Sequence, residues 1–345
     1  MTVMHQALPA YGFESAPYAH GEPLARADFK TRPEDFVVEE VLGFEPGGEG
    51  EHLFLLVQTD AHNTRHTQRC LARHFNVAKQ AVSYSGMKDR RGLTSQWFSI
   101  HLPGKAIEPD SDELAQQGFN VLRWQRHNKK LRIGTHKYNR FHIVLRNLSQ
   151  IERLNSRLPE LKNLGVPNYF GAQRFGHGGA NIEEALQWVE QGKLPADRLL
   201  RSRVLSTLRG WLFNGVLADR VANGTWNQWQ DQDLIQLNGT QSFFTEPQWD
   251  DQLQQRFLSD DIHLSAYLAG CDQAGTIPDQ MLLLFNQARM EAEPRPLRLK
   301  AQQLRWNGDA NALQIQFNLQ KGAYATSVLR ELVLLNDRSG QQEQI

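Results

Sequence analysis

Residues 84–97, YSGMKDRRGLTSQW, set one carboxylate, Asp89, between Lys88 and Arg90 in a glycine-flanked turn that runs into a strand near Gln96. Neighbouring cations favour the ionised form of a carboxyl group. Asp89 is therefore expected as a carboxylate at neutral pH, a group suited to nucleophilic or electrostatic work at a sugar carbon. The same residues also suit a plain solvated turn, since Asp and Gly are turn formers, and the segment alone leaves both readings open. His62 and His66 are four apart, which can place two imidazoles on one helix face. No Glu sits beside His62 and no third ligand is evident nearby, so the metalloprotease pattern is missing and no metal is expected. The glycines of residues 175–181, FGHGGAN, precede a helical pattern and can expose amides to phosphate. Without a Walker lysine or dinucleotide spacing they read as a turn. No G-x-S-x-G elbow and no cysteine–histidine pairing stands out. No cofactor is expected.

Acidic and basic residues balance at 38 each, which by itself argues against a nucleic-acid binder. The balance hides a separation. From Arg65 to Arg91 the basic residues Arg65, Arg69, Arg73, Lys79, Lys88, Arg90 and Arg91 meet only Asp89. From Arg123 to Arg146 there are Arg123, Arg126, Lys129, Lys130, Arg132, Lys137, Arg140 and Arg146, with three histidines and no carboxylate. The compensating acids cluster between Asp231 and Glu293. Segregated charge of this kind can steer and orient a polyanion although the sum vanishes; two ordinary solvated faces are the plainer alternative.

The elements that must position these residues follow from periodicity. Alternating or aromatic-rich runs at 36–44, 52–58, 96–102, 121–126 and 141–146 predict strands, and 64–75, with Asn63 as N-cap, predicts a helix among them. From about residue 157 the pattern turns helical, at 182–192, 198–222, 250–268 and 280–290. Strand character returns at 312–319, followed by a helical pattern at 325–335. With 345 residues the chain exceeds the roughly 250–300 at which a single core stops growing. The expected architecture is α+β: a lobe with a mixed, largely antiparallel sheet built from both chain ends, interrupted by a mostly helical insertion, with a cleft between the two as the site. The N-terminal residues show no targeting pattern and no run approaches the ~18 apolar residues of a membrane span, so a soluble cytoplasmic protein is expected. Cys70 and Cys271 belong to no paired-ligand spacing.

Five separated motifs, in order, resemble the TruD family of tRNA pseudouridine synthases. They are KTRPEDFVVEE at 30–40, SGMKDRRGLTSQ at 85–96, NRF at 139–141, PNYFGAQRFG at 167–176 and KGAYATSVLRE at 321–331. The resemblance spans nearly the whole chain and implies a pseudouridine synthase core, residues 1–156 with 304–345, interrupted by a TRUD insertion domain, residues 157–303. It implies an isomerase, an intramolecular transferase, that converts uridine in tRNA to pseudouridine, expected at position 13 in the D-arm region. Asp89 would be the essential carboxylate, as nucleophile or as the base of a glycal route, with Lys30 as the cation beside it and Glu40 orienting Lys30. Phe36 and Phe141 would wall the everted base, for which simple strand core is the alternative. Asn139 would hydrogen-bond near the uridine, and Tyr324 stands where the family usually carries an aromatic, its hydroxyl an addition. Residues 168–174 would shape the junction rather than act chemically. By charge density Arg123, Arg126, Lys129, Lys130 and Arg132 would meet the RNA backbone. The partner is tRNA, with no membrane, no protein partner and a monomer implied. A non-catalytic RNA-binding or RNA-folding protein and a uracil-releasing hydrolase are the rival readings.

Overall fold

The computed structural model describes residues 12–60, 62–88, 92–231, 233–309 and 311–339. Asp89, Arg90 and Arg91 lie outside the described residues. The chain divides into two compact units, one formed by Leu24–Lys162, Ala301–Gly322 and the segment from Leu332, the other by the segment up to Pro23, Asn163–Lys300 and Ala323–Glu331.

The first unit holds β1 (Ala25–Phe29), β2 (Phe36–Val41), β3 (His52–Thr59), α1 (Thr64–His74), β4 (Val82–Tyr84), β5 (Leu93–His101), α2 (Ser111–Gln116), β6 (Phe119–His127) and β7 (Tyr138–Arg146). The chain leaves this unit within α3 (Leu154–Leu164). In the second unit follow β8 (Val166–Pro167), α4 (Ala172–Phe175), α5 (Ala180–Glu190), α6 (Arg198–Ala222), β9 (Leu234–Leu237), β10 (Phe243–Phe244), α7 (Asp251–Leu258), β11 (Ile262–Leu268), α8 (Asp279–Ala288), β12 (Glu293–Pro296) and β13 (Arg298–Leu299). The chain returns to the first unit with β14 (Gln302–Gly308) and β15 (Ala312–Gln320), gives α9 (Ala325–Leu329) to the second, and ends the described fold with β16 (Val333–Asp337).

The first unit is a mixed sheet of order β14-β15-β7-β2-β5-β3-β6, with β1, β16 and β4 attached at its sides. The pairs β2–β5 and β1–β16 are parallel and the others antiparallel. Strand β5 sits between β2 and β3, and everything from Thr94 to Ile100 is buried. Its polar members survive there because each finds a partner, as buried polar groups must: Ser99 Oγ, for example, bonds Ser83 Oγ at 2.8 Å and accepts from Leu131 N at 3.1 Å. Beneath the sheet α1 packs Leu71 and Phe75 against Leu53, Leu55, Phe98 and Ile100. Its start is set as expected, with Asn63 Oδ1 accepting from His66 N at 2.9 Å.

The second unit is built on α6, whose Val204, Leu208, Phe213 and Leu217 enter its core, and whose N-cap Asp197 accepts from Leu200 N at 2.7 Å. It is less purely helical than its periodicity predicts, since a sheet of order β10-β9-β11-β12 packs with the helices. The expected helix over 250–268 is a helix only to Leu258. Asp260 takes a left-handed backbone (φ 59°) and the alternating IHLSAYL segment beyond it, Ile262–Leu268, forms β11 between β9 and β12. The expected helix over 325–335 likewise ends at Leu329, because residues 333–337 gain a parallel partner in β1, with Val333 opposite Ala25 and Asp337 opposite Phe29. Tertiary pairing overrides local periodicity in both places.

Residues 12–23 and 323–331, grouped on sequence with the sheet lobe, belong to the second compact unit. The reason is a buried polar knot at the end of α9. Glu331 Oε2 accepts from Ala19 N at 3.0 Å and His20 N at 3.1 Å, while Arg330 donates to the carbonyls of Ala16 at 2.6 Å and Pro17 at 3.2 Å and lies over the Tyr18 ring. Burial raises the Glu331 carboxyl above its ordinary range against the pull of Arg330.

Candidate active site

Strand β2 alternates, and its buried row is Phe36, Val38 and Glu40. A carboxylate in an apolar row is unfavourable unless it is paired. Glu40 is 1% exposed, and its pair is Lys88, whose Nζ lies 3.1 Å from Oε2; Oε1 accepts from Trp97 N at 3.3 Å. Burial pushes the Glu40 carboxyl up from its ordinary value, and the Lys88 charge pulls it back. Register completes the arrangement. Glu40 stands opposite Asn139 on β7, and Asn139 Oδ1 accepts from the same Lys88 Nζ at 2.5 Å. Glu40 had been expected to orient Lys30; its cation is Lys88, one residue before Asp89.

The segment leading to Asp89 is held along its length. Lys88 N donates to Thr64 Oγ1 at 2.9 Å, and Thr64 Oγ1 donates to Gln96 Oε1 at 2.9 Å. Gln96 Nε2 closes the loop with a short bond to Gly86 O. A Cβ on Gly86 would sit 3.3 Å from Glu40 Oε2 and 3.2 Å from His136 Cε1, so glycine lets the chain pass the buried carboxylate. Ser85 Oγ accepts from His136 N and bonds His136 Nδ1, both at 2.7 Å. Burial, with the charges of Lys88 and Lys321, lowers His136 to about 4, so it is neutral at pH 7 and its Nδ1 shares a hydrogen bond with the Ser85 hydroxyl. Thr64, Ser85, Gln96 and His136 carried no role on sequence. Gln96 and Ser85 lay in the quoted motif, whereas Thr64 and His136 are joined to it only through the fold.

Phe36 and Phe141 come together across β2 and β7, ring centroids 6.1 Å apart, with Phe141 stacked on Phe317 at 5.4 Å. Both are buried, so each is also a core residue of its strand. Lys30 is 7% exposed, in a left-handed conformation (φ 57°), and its Nζ lies 4.4 Å from the Phe36 ring centroid. Desolvated cation–π contacts of this kind are worth about 2 kcal/mol. Gly92, at φ +118°, presses on Phe36: a Cβ there would lie 2.6 Å from Phe36 O. Lys30, Phe36, Glu40, Asn139 and Phe141 thus share one unit and one region of sheet around the residues that flank Asp89.

Tyr324 belongs to the second unit. Its ring packs near Phe170, and its hydroxyl accepts from Arg174 Nε at 3.1 Å, which gives that oxygen a definite partner. The surrounding PNYFGAQRFG motif holds the unit's core. Phe170 N donates to Asn214 Oδ1 at 2.8 Å, Asn214 Nδ2 donates to Phe170 O at 2.9 Å, and the buried Arg295 lies 3.9 Å above the Phe170 ring while donating to Asn168 Oδ1 at 2.9 Å. Burial lowers Arg295 to about 10. Of the five expected backbone-binding cations, Arg123 is paired with Glu45 at 2.5 Å and Arg126 donates to the carbonyls of Lys105 and Ile107. Lys129 and Arg132 have no carboxylate partner among the described residues, and Lys130 donates to Gln80 O at 3.3 Å. Among the described residues no cluster of metal-ligating side chains exists, and no helix is long and apolar enough to cross a membrane.

The family model described as tRNA pseudouridine synthase D (TruD) matches residues 13–185 and 195–332. A protein of Methylococcus capsulatus named tRNA pseudouridine synthase D is 41% identical over 337 residues, covering 93% of this chain and 95% of that one. One of the same name from Pseudomonas entomophila is 42% identical, covering 92% and 94%. The solved structure of a Methanosarcina mazei protein carrying the same family name superposes with a TM-score of 0.65 at 20% identity, over 92% of this chain and 95% of that one, a likeness of fold.

Two outcomes test the buried network. Lys88→Met leaves Glu40 buried without its cation and is expected to destabilise the protein by about 3–5 kcal/mol, the cost of breaking a buried pair. The double variant Glu40→Gln with Lys88→Met should be more stable than Lys88→Met alone, as urea unfolding of wild type and the two variants would read. His136 has a folded pKa below its unfolded value, so its contribution is present above about 6.5 and is lost as pH falls toward 4. His136→Asn should remove about 3 kcal/mol of the stability difference between pH 7 and pH 4; an unchanged pH profile would show that His136 titrates alike in both states.

Proposed function

Because the chain belongs to the tRNA pseudouridine synthase D (TruD) family, we infer that it isomerises uridine in tRNA to pseudouridine, at position 13 of the D-arm region. The observation that carries the reading is the clamp on Lys88, the residue before Asp89: a buried ion pair to Glu40, a bond to Asn139 and a backbone bond to Thr64. Three anchors on one residue suit a neighbour that must be held against a reacting centre, because misplacement by even an ångström is expensive in rate.

In the reaction the bond from uracil N1 to C1′ breaks, the base turns, C5 joins C1′, a proton leaves C5 and the freed N1 gains one. Atoms and electrons balance within the nucleotide, so neither an oxidant nor a cofactor enters. Asp89 is the essential carboxylate, attacking C1′ or taking the sugar proton that opens a glycal route. Asn139, its Oδ1 already bonded to Lys88, has its Nδ2 available to donate to a uracil carbonyl. Lys30 brings positive charge beside Phe36, and the Phe36–Phe141 pair supplies the flat apolar wall that an everted base needs once it leaves its stack. The sheet-bearing unit is the catalytic part and the α6-based unit the family insertion. Lys129 and Arg132, which of the five expected cations have neither a carboxylate nor a carbonyl partner tying down their side chains among the described residues, are the first candidates for phosphate contact. The protein acts as a cytoplasmic monomer.

Asp89→Ala should abolish tritium release from tRNA labelled at uridine C5 while tRNA binding persists; measurable turnover in that variant would remove the catalytic assignment, and free uracil among the products of the wild type would mark a hydrolase instead. Replacing Lys129 and Arg132 together with Ala should reduce the slope of log Kd against log salt by about 1.5, from two lost phosphate contacts. An unaltered slope would place the phosphates elsewhere.

A further inference from the structure

The loop after β2 and the end of β6 line a cavity of about 770 Å³ whose walls include none of Lys30, Phe36, Glu40, Asn139 and Phe141. Its wall is Phe44, which is 38% exposed although it is a large apolar ring beside other aromatics. The His127 ring lies 5.4 Å from it at 35°, and the buried Phe54 meets both edge-on. His127 is fixed in place, because its Nδ1 accepts from Gly47 N at 3.1 Å; its Nε2 is left as the ring's donor. Lys129, Lys130 and Arg132 line the same cavity. Lys129 and Arg132 carry no carboxylate partner among the described residues, while the nearby Glu45 is already neutralised by Arg123. An exposed aromatic face with a fixed ring donor and unneutralised cations around it is the combination that binds a nucleotide: base on the ring, phosphate on the cations.

We propose that this cavity is a second nucleotide-binding site, which takes an unstacked base of the tRNA other than the reacting uridine and stacks it on Phe44. It rests on the reading of tRNA as substrate. Stacking a sequence-distant base here fixes the orientation of the tRNA without taking part in the bond exchange, so its contribution is to affinity and not to turnover. A base–aromatic stack alters no phosphate contact, so it leaves the salt dependence of binding alone.

The test uses the full chain and an unmodified tRNA transcript, with Kd from filter binding and turnover from tritium release, for wild type, Phe44→Ala, Phe44→Leu and Phe44→Trp. Leucine keeps apolar cover over Phe54 and so controls for folding. Phe44→Ala and Phe44→Leu should each weaken binding by about tenfold, with kcat at saturating tRNA and the salt slope both unchanged. Phe44→Trp should bind like wild type. Wild-type affinity in Phe44→Ala or Phe44→Leu, or a fall in kcat with Kd unchanged, would overturn the site. A wild type that binds tRNA but releases no tritium would overturn the activity while the affinities of the Phe44 variants still decide the site.

Discussion

A carboxylate buried in the middle of a sheet constrains the site more than any other group. Glu40 occupies a position that alternation gives to an apolar side chain, and at 1% exposure it has no water to solvate it. A lone charge there would be prohibitive, so a cation must come to it. Lys88 does, and because β2 pairs with β7 in a fixed register, Asn139 is brought to the same ammonium. The raised Glu40 carboxyl records how much burial opposes the charge, and the pull of Lys88 how it is held. Such a pair adds little net stability compared with apolar packing, but it makes one chain position out of many acceptable.

The consequence falls on the motif. With Lys88 tied by side chain to β2 and β7 and by backbone to α1, the chain enters residues 89–91 from a fixed point. On the far side Gly92 is pressed on Phe36 and Thr94, Ser95 and Gln96 are buried in β5. His136 belongs to the same logic. Kept neutral by burial and by the two lysine charges, it bonds Ser85 and adds no further positive charge beside Lys88.

Charge organisation explains why an RNA-modifying family member can have no net charge. Arg123 and Arg126 are committed to contacts within their own unit, Arg123 to a carboxylate and Arg126 to backbone carbonyls, and hold loops in place. Lys129 and Arg132, which have no carboxylate partner among the described residues, line the cavity beside Phe44 and His127 instead. Counting basic residues along the sequence overstates how many are available to a polyanion; which ones are is a property of their partners.

By itself the sequence determined β2, β3, α1, β5, β6, β7 and β15 of the sheet unit but not its β1, β4, α2, β14 or β16, together with the extent of α6 at Arg198–Ala222, the N-cap at Asn63 and the five motifs, because these depend on periodicity, capping chemistry and short-range spacing. Roles for Lys30, Phe36, Glu40, Asn139, Phe141 and Tyr324 were legible only through the resemblance. Tertiary structure alone decided that Lys88 and not Lys30 serves Glu40, that Thr64 and His136 brace the motif, and that Tyr324 is tied to Arg174. It also turned the end of two helical patterns into β11 and β16 and placed residues 12–23 with α9. The physical reason is the same in each case: a buried charge or an unpaired strand takes its partner from wherever the fold brings one, and sequence separation carries no information about that.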